Sequence, residues 1–293
     1  MRSRIISAFL IVMIVGLLCV AYGYFIEPRR LVVNEKKLLI KNWNKSFDGF
    51  KIVAVSDVHG GSNGITEEKL REIVVKINEQ NADIVVFLGD YVSQGGKYDA
   101  GLKMPMPTIA ENLKGIRAKY EIFAVLGNHD AWFDDAETRK NLESAGMKVL
   151  ESEVAVIEKD GQKLRILGLK DHLKMNNWKK FSNEAKAVLS ATENQGDVIV
   201  LEHSPDVLPA ITGDLSISND LKLMLSGHTH GGQVWFPVLG SLVVPSTYGQ
   251  KYAFGHIKDR NLDLFVTTGI GTSILPFRFL VPPEIAVLTI TSE

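Results

Sequence analysis

Residues 51–59 read Lys-Ile-Val-Ala-Val-Ser-Asp-Val-His, an apolar run that ends in an aspartate and a histidine. The run from Lys51 to Val55 is rich in β-branched residues and too short for an ordinary helix, so it predicts a buried strand. Asp57 and His59 follow directly. Open α/β sheets place their ligands at the carboxyl ends of their strands. The pattern therefore predicts a polar site at one end of a sheet.

Four further apolar runs have the same form, namely Ile84–Leu88, Ile122–Leu126, Val198–Leu201 and Leu221–Leu225. The clusters that follow the five runs are Asp57-x-His59, Gly89-Asp90, Gly127-Asn128-His129-Asp130, Glu202-His203-Ser204-Pro205 and Gly227-His228-Thr229-His230-Gly231. Singly, each polar residue could be a cap, a turn residue or a satisfied core histidine. Together they need partners that an apolar core does not offer, which indicates a metal site built from several loops.

Helical patterns lie between the strands and complete a mixed α/β fold. One helix is predicted to begin at Thr66, and another to extend from Asp134 to Ala145 and stop at Gly146. A hairpin and two later strands are predicted at Val154–Ile157, Leu164–Leu167, Leu264–Thr268 and Ile285–Ile290, and surface loops at Gly95–Gly101 and Pro105–Pro107. The sum is a layered α/β fold with two sheets.

Composition narrows the chemistry. The 293 residues contain 33 Lys plus Arg against 34 Asp plus Glu, a net charge of −1, which leaves no basic field to hold nucleic acid. With 45% hydrophobic residues the chain can bury a sizeable core. Its one cysteine, Cys19, excludes a disulfide framework and a thiolate-rich zinc site. A metal would have to be bound by His and carboxylate ligands.

The amino-terminal segment is predicted to be a transmembrane helix. Ile5 to Ile26 carries no charge over 22 residues, enough to cross a hydrocarbon core of about 30 Å. A cleaved signal peptide is the alternative, but Ala21 and Gly23 match its cleavage site poorly. We expect an anchor in residues 1–30 and one catalytic domain in residues 31–293, within a single-pass protein of the cell membrane.

The charges that flank this helix leave two orientations open. Arg2 and Arg4 precede it, whereas a larger basic group follows it, which favours a cytoplasmic domain. A short basic flank before an apolar run is also how an exported domain begins. The sequence does not indicate an oligomeric state.

The five clusters, in this order, resemble the motifs of the calcineurin-like metallophosphoesterase superfamily, D-x-H, G-D, G-N-H-[D/E], H and G-H-x-H. The match extends from Asp57 to His230. Further similarity to its membrane-associated bacterial branch lies in Glu27-Pro28, in the motif that ends at Gln233, and in the C-terminal segments 269–273 and 276–284. The resemblance implies a four-layer α/β-β/α sandwich with two mixed sheets and a binuclear metal centre between them.

The resemblance also implies a role for each site residue. Asp57, His59 and His230 would hold one metal, Asn128, His203 and His228 the other, and Asp90 would bridge them. This donor set suits Mn²⁺ best, with Fe or Zn²⁺ as alternatives. Two such ions about 3.5 to 4 Å apart activate water for attack on phosphorus. His129 would stabilise the phosphoryl oxygens or protonate the leaving group, and Asp130 would orient its ring.

The sequence restricts the identity of the substrate only loosely. Trp132-Phe133, Val234-Trp235-Phe236 and the segment Pro276–Leu280 could form an apolar slot for acyl chains with Arg278 near a phosphate, or could be ordinary core aromatics. We expect a phosphodiesterase or pyrophosphatase acting on a lipid-linked substrate of the UDP-diacylglucosamine type. The alternatives are a broad-range soluble phosphodiesterase or phosphatase, and a non-catalytic metal-binding scaffold. His172 could approach the substrate, although loop decoration is the simpler interpretation.

Overall fold

Two six-stranded sheets face each other, and helices cover their outer surfaces. The computed structural model describes residues 2–94, 101–171, 173, 177–192 and 195–293. His172 and most of the predicted loop Gly95–Gly101 lie outside the described residues. The helices are α1 (Arg2–Phe25), α2 (Glu67–Glu79), α3 (Met106–Leu113), α4 (Asn128–Phe133), α5 (Asp135–Ser144), α6 (Trp178–Ser190) and α7 (Leu208–Ile211).

The strands divide between the sheets in an order that makes both sheets mixed. They are β1 (Val32–Ile40), β2 (Phe50–Val55), β3 (Ile84–Leu88), β4 (Glu121–Val125), β5 (Lys148–Val149), β6 (Glu153–Lys159), β7 (Gln162–Gly168), β8 (Asp197–Leu201), β9 (Leu221–Ser226), β10 (Trp235–Phe236), β11 (Gly240–Ser241), β12 (Gly255–Asp259), β13 (Leu262–Val266) and β14 (Glu284–Ser292). The first sheet has the order β1-β14-β2-β3-β4-β5 and the second β12-β13-β9-β8-β7-β6. Strands β2, β3 and β4 are parallel, as are β7, β8 and β9.

Side chains of the central strands point alternately to the two faces of each sheet, and both faces are covered, so the fold has four layers. Ile52 and Ala54 of β2 belong to the core between the sheets, whereas Val53 and Val55 pack in the core beneath α2 and α3. A third core lies between the second sheet and the helices α6 and α7. Because successive side chains of a strand point to opposite faces, a strand buried on both faces must be apolar throughout. The predicted α/β-β/α sandwich is confirmed.

Capping residues fix where two predicted helices begin. The Thr66 hydroxyl accepts the Lys69 N–H at 3.2 Å, and the Asp134 carboxylate accepts the Glu137 N–H at 2.9 Å. The prediction of a loop at Pro105–Pro107 is wrong, since α3 begins at Met106. Proline is tolerated in the first turn of a helix, where its missing N–H has no intrahelical acceptor.

Helix α1 is long and apolar enough to cross a membrane, and its side chains are not buried in a protein core. At 24 residues it measures about 36 Å. Its last turns contact the segment near the carboxyl terminus: the Arg278 N–H donates to the Gly23 carbonyl at 3.0 Å, and the Tyr22 and Phe279 rings meet edge to face at 6.2 Å. The helix is thereby attached to the layered domain.

Candidate metal centre

The polar clusters meet because the strands that precede them end at the same edge of the two sheets. Asp57 and Asp90 follow β2 and β3 of the first sheet, and His203 and His228 follow β8 and β9 of the second. The loops are joined through their backbones: the Asp57 N–H donates to the Gly89 carbonyl at 2.9 Å. The structure brings together six of the seven residues that were predicted to hold metal. The seventh, Asn128, directly precedes His129, whose backbone N–H donates to Asp90 Oδ1 at 2.8 Å.

Asp57, His59 and His230 form the first group of donors, and all three are buried. The His230 Nε2 lies 3.2 Å from Asp57 Oδ1 and 3.2 Å from His59 Nε2. Donor atoms around an ion with bonds of about 2.1 Å lie about 3.0 to 3.4 Å apart. Two of the three spacings lie in this range, and the third, between His59 Nε2 and Asp57 Oδ1, is 3.9 Å, so the group approximates three ligands of one ion.

Asp90, His203 and His228 form the second group. Asn128 is the first residue of α4, and its side chain is buried. The His203 Nε2 lies 3.2 Å from Asp90 Oδ2 and 3.1 Å from His228 Nδ1. The same Asp90 Oδ2 is 3.7 Å from His59 Nε2 in the first group. One carboxylate oxygen therefore faces both groups, as a bridging ligand requires.

Backbone carbonyls fix the orientation of two imidazole rings. The Nδ1 of His59 lies 3.0 Å from the Val92 carbonyl, and the Nδ1 of His203 lies 2.7 Å from the Leu88 carbonyl. A carbonyl only accepts hydrogen bonds, so each Nδ1 carries a proton, and Nε2 is the ring nitrogen that faces the centre. Such outer contacts are typical of metal-ligating histidines.

Two buried oxygens test whether the residues fit a metal. Among the described residues, none donates a hydrogen bond to Asp57 Oδ1 or Asn128 Oδ1. Leaving a buried carboxylate or amide oxygen without a donor is costly. A cation at each group would satisfy both atoms, and oxygen with imidazole nitrogen suits a divalent transition ion. The donor set therefore fits a divalent metal centre.

Electrostatics support the same interpretation. Burial raises the pKa of Asp57 to about 6 and lowers the pKa of His59 to about 4. Burial also opposes ionisation of Asp90, but the attraction of His203, His129 and His59 outweighs it and holds the pKa of Asp90 well below its usual value. Without a bound cation, the buried carboxylates and imidazoles therefore neutralise each other's charge only in part.

The backbone is left-handed at five of the seven predicted ligands, with φ between 44° and 69°, at Asp57, His59, Asp90, His228 and His230. Non-glycine residues rarely adopt this conformation, and strained backbone clusters at functional sites. Gly227 permits the loops to approach, since a Cβ there would overlap the Ser56 hydroxyl and lie 2.6 Å from Asp57 Oδ2. Strain and close approach both serve to aim ligands inward.

His129 lies beside the metal centre, and its ring nitrogens contact residues outside the predicted ligand set. Its Nδ1 contacts Gln94 Oε1 at 2.7 Å, and its Nε2 lies 3.5 Å from the Ser273 hydroxyl. Its ring stands against those of His59 and Trp132 at 4.8 and 4.9 Å. Gln94 had no role in the sequence interpretation, and Ser273 entered it only as part of the segment 269–273, with no role at the site. His129 also lies within ligand distance of His59 and Asp90.

The role predicted for Asp130 is wrong. Its buried carboxylate does not contact the His129 ring but accepts backbone N–H groups of Asp90 at 2.8 Å, Tyr91 at 2.8 Å and Gly127 at 2.9 Å. Burial raises the pKa of Asp130 to about 7. Asp130 thus holds the two loops that carry Asp90 and Asn128, and Gln94 occupies the position at His129 Nδ1.

The structure places Arg278, which was predicted to bind substrate, in a buried position. The side chain is fully buried, and its guanidinium donates to the carbonyls of Gly271, Val281, Thr268 and Gly269 at 2.6 to 3.2 Å. The Nη2 also lies 3.4 Å from His230 Nδ1. Nε, Nη1 and Nη2 each donate to at least one backbone carbonyl, so the guanidinium is committed to the backbone around it. Arg278 is a structural residue behind the centre.

Because each group takes ligands from both sheets, we expect metal to stabilise the fold. Chelation should lower the Tm, and added Mn²⁺ should restore it; at 100 times the dissociation constant a single site contributes about 2.7 kcal/mol. Differential scanning calorimetry of the stripped and reloaded protein measures this shift. A Tm that changes with neither chelator nor Mn²⁺ would contradict the binding of metal by residues of both sheets.

Comparison with known proteins agrees with this geometry. The sequence profile of the calcineurin-like phosphoesterase family matches residues 50–232. The metallophosphoesterase YkuE of Bacillus subtilis is 31% identical over 275 residues, covering 92% of this chain and 90% of that protein. Phosphodiesterase YaeI of Escherichia coli is 27% identical over 273 residues, covering 91% of each chain.

Two matches are more distant. A zebrafish transmembrane protein with a metallophosphoesterase domain is 27% identical over 93% of this chain, which spans only 60% of that relative. Among solved structures, a dimetal phosphatase from Danio rerio is similar with a TM-score of 0.49 and 16% identity, covering 84% of this chain and all of that one. The family profile and the Bacillus relative both span most of the chain, and the chain therefore belongs to the calcineurin-like phosphoesterase family of metal-dependent phosphoester hydrolases.

Proposed function

We propose that this chain hydrolyses a phosphodiester or pyrophosphate bond of a lipid-linked substrate at the membrane surface. In this proposal residues 1–30 stay attached as a single-pass anchor, and residues 31–293 form the catalytic domain. The observation that carries it is an apolar groove between α1 and the segment near the carboxyl terminus. A tethered domain meets lipid-linked substrate at high effective concentration.

The groove has a volume of about 540 Å³ and is lined by apolar and aromatic side chains. The lining residues are Leu17, Val20, Ala21, Tyr24, Phe25, Leu275, Pro276 and Phe277. Five of the eight lining residues belong to the helix that would lie in the bilayer, so the groove would open where acyl chains are found. Apolar walls without charges are complementary to an acyl chain.

A short segment connects the groove to the metal centre. Ser273, whose hydroxyl is 3.5 Å from His129 Nε2, is only two residues from Leu275 in the groove wall. Gln233 holds both ends of this segment: its Oε1 accepts the Ser273 N–H at 2.7 Å, and its Nε2 donates to the Leu275 carbonyl at 3.2 Å. A lipid seated in the groove would present its head group to His129.

The chain's own residues have distinct tasks in this proposal. Asp57, His59 and His230 would hold one divalent ion, Asn128, His203 and His228 a second, and Asp90 both. When bound, two such ions supply Lewis acidity and a water of lowered pKa. His129, whose Nδ1–H would bond Gln94 Oε1, would donate a hydrogen bond from Nε2 to a phosphoryl or leaving-group oxygen when its ring is protonated. We favour Mn²⁺ for its match to this mixed donor set.

The test compares acylated and unacylated substrates of the same head group, in detergent micelles with Mn²⁺. Each buried CH₂ is worth about 0.8 kcal/mol, so kcat/KM should rise at least about 10-fold once a few methylenes enter the groove. Ala21→Trp, which fills the groove, should remove that gain and leave hydrolysis of bis-p-nitrophenyl phosphate unchanged. Equal rates on both substrate types would instead identify a broad-range phosphodiesterase.

Replacing His129 by alanine should lower kcat by about 10² to 10⁴-fold, because a positioned proton donor is lost. The seven metal-holding residues remain in place, so elemental analysis should find the wild-type metal content. Gln94→Leu should give a smaller loss, since it releases the ring without removing it. Loss of metal in His129→Ala would show that this histidine is itself a ligand.

A further inference from the structure

Exposed apolar side chains are concentrated in two segments of the layered domain, residues 236–243 and 274–280, which we call the rim segments. Among the described residues that follow Arg30, eight of the 16 exposed large hydrophobic residues lie in them. They are Phe236, Val238, Leu239, Leu242, Val243, Ile274, Leu275 and Leu280. The only charged residue in either segment, Arg278, is buried. Such a concentration marks an interaction surface.

The rim segments form one surface with the end of α1. Val234 and Phe279 form a parallel bridge, and the Trp235 N–H donates to the Phe279 carbonyl at 3.0 Å. Phe279 in turn contacts Phe236 at 5.8 Å and Tyr22 of α1 at 6.2 Å. Whatever surrounds the last turns of α1 therefore also reaches the rim segments.

Two residues of the rim segments combine exposure with backbone strain. Val238 and Ile274 are 102% and 97% exposed, and both have left-handed backbones with φ of 74° and 60°. A β-branched residue in this conformation is an outlier that costs free energy. No buried contact within the chain offsets that cost, because both side chains point into the surroundings. Strain of this kind indicates a partner outside the chain.

A basic and a polar residue lie where this surface would meet the lipid head groups. Arg29, just after α1, donates to Asn63 Oδ1 at 3.1 Å, and the Asn63 amide donates to the Pro276 carbonyl at 2.7 Å. Arginine at the end of a transmembrane helix is typical of the lipid head-group layer. Asn63 thus fixes the rim segment 274–280 to the residue that would lie among head groups.

We propose that the rim segments insert into the same bilayer leaflet as the end of α1, so that the domain docks with its metal centre against the lipid surface. The occupant is the bilayer, because the surface continues an apolar helix, lacks exposed charge and ends at an arginine. This rests on the membrane anchor of the proposed function and goes beyond it, since docking concerns the orientation of the domain and not the substrate. It holds for any phosphoester that the centre cleaves.

The experiment uses the full chain in phosphatidylcholine and phosphatidylglycerol vesicles with brominated acyl chains. In a Cys19→Ser background, Val238→Cys, Ile274→Cys and, as the matched control, Val156→Cys carry an environment-sensitive fluorophore. Val156 is also an exposed aliphatic residue, at 46%, but lies on β6 at the edge of the second sheet. We expect at least 2-fold quenching at 238 and 274 and none at 156.

Absence of quenching at either rim position would overturn the proposal. So would vesicle-independent crosslinking between chains through Ile274→Cys, which would assign the surface to a second copy. No substrate is present, so the result is independent of the acyl-chain test. If the rate does not depend on acyl chains but quenching occurs, the lipid-linked substrate is refuted and docking is supported. If the rate depends on acyl chains but no quenching occurs, docking is refuted and the lipid-linked substrate is supported.

Discussion

Asp90→Asn should abolish turnover, lowering kcat by at least about 10³-fold. Asp90 Oδ2 is the atom that faces both groups of donors, 3.2 Å from His203 Nε2 and 3.7 Å from His59 Nε2. An amide removes the negative charge that two adjacent cations would share in the proposed assignment. Losing about 4 kcal/mol of transition-state stabilisation corresponds to this factor. Phosphodiesterase assays with Mn²⁺, together with metal content after gel filtration, measure both losses.

The substitution is chosen to leave the fold intact. An asparagine oxygen can still accept the His129 N–H, which Asp90 Oδ1 binds at 2.8 Å. Asp197→Asn is the matched control, because Asp197 is a partly buried carboxylate at the start of β8, away from the carboxyl ends of the strands. It should keep wild-type turnover. Near wild-type metal and rate in Asp90→Asn would refute the bridging role.

Arg278→Met should reduce the free energy of unfolding by about 3 to 5 kcal/mol. Methionine fills much of the volume but leaves the carbonyls of Gly271, Val281 and Thr268 without their donors in a buried site. Burial lowers the pKa of Arg278 to about 10, yet the group stays charged at neutral pH. Denaturant unfolding of the detergent-solubilised protein measures the change.

Two comparisons make the result specific. Arg139→Met removes an arginine whose partners, Glu143 and Glu153, are partly exposed, and should cost no more than about 1 kcal/mol. Arg278→Lys should be intermediate, since an ammonium reaches fewer of the carbonyls. A variant Arg278→Met of wild-type stability with a raised KM would restore the substrate-binding role that the sequence suggested.

The central strands could be predicted because burial on both faces forces a continuous apolar run, as in Ile84–Leu88. Strand β1 could not, because on the edge of the first sheet Glu35, Lys36 and Lys37 are exposed and interrupt any such run. Helix α3 was hidden by the prolines at its start. Whether a strand lies at the edge of a sheet, and where a helix begins, depend on tertiary contacts that a local sequence pattern does not contain.

The site divides in the same way. Side chains that follow buried strands, such as Asp57 and His203, could be located from the sequence because the chain direction places them at one edge. Asp130 and Arg278 could not be assigned, because a carboxylate or guanidinium looks alike in sequence whether it faces substrate or satisfies backbone groups. Gln94 was not recognised in the sequence, and Ser273 appeared only within the segment 269–273, with no role assigned. Only the packing around each group distinguishes these tasks.

The most direct test of the account is a count of metal ions in the native protein, with their positions. The protein would be prepared with Mn²⁺ available, analysed for elements, and crystallised for anomalous scattering at the manganese edge. We predict two ions per chain, one beside Asp57, His59 and His230, the other beside Asn128, His203 and His228, with Asp90 contacting both. No anomalous peak among these side chains, or ions bound elsewhere, would contradict it.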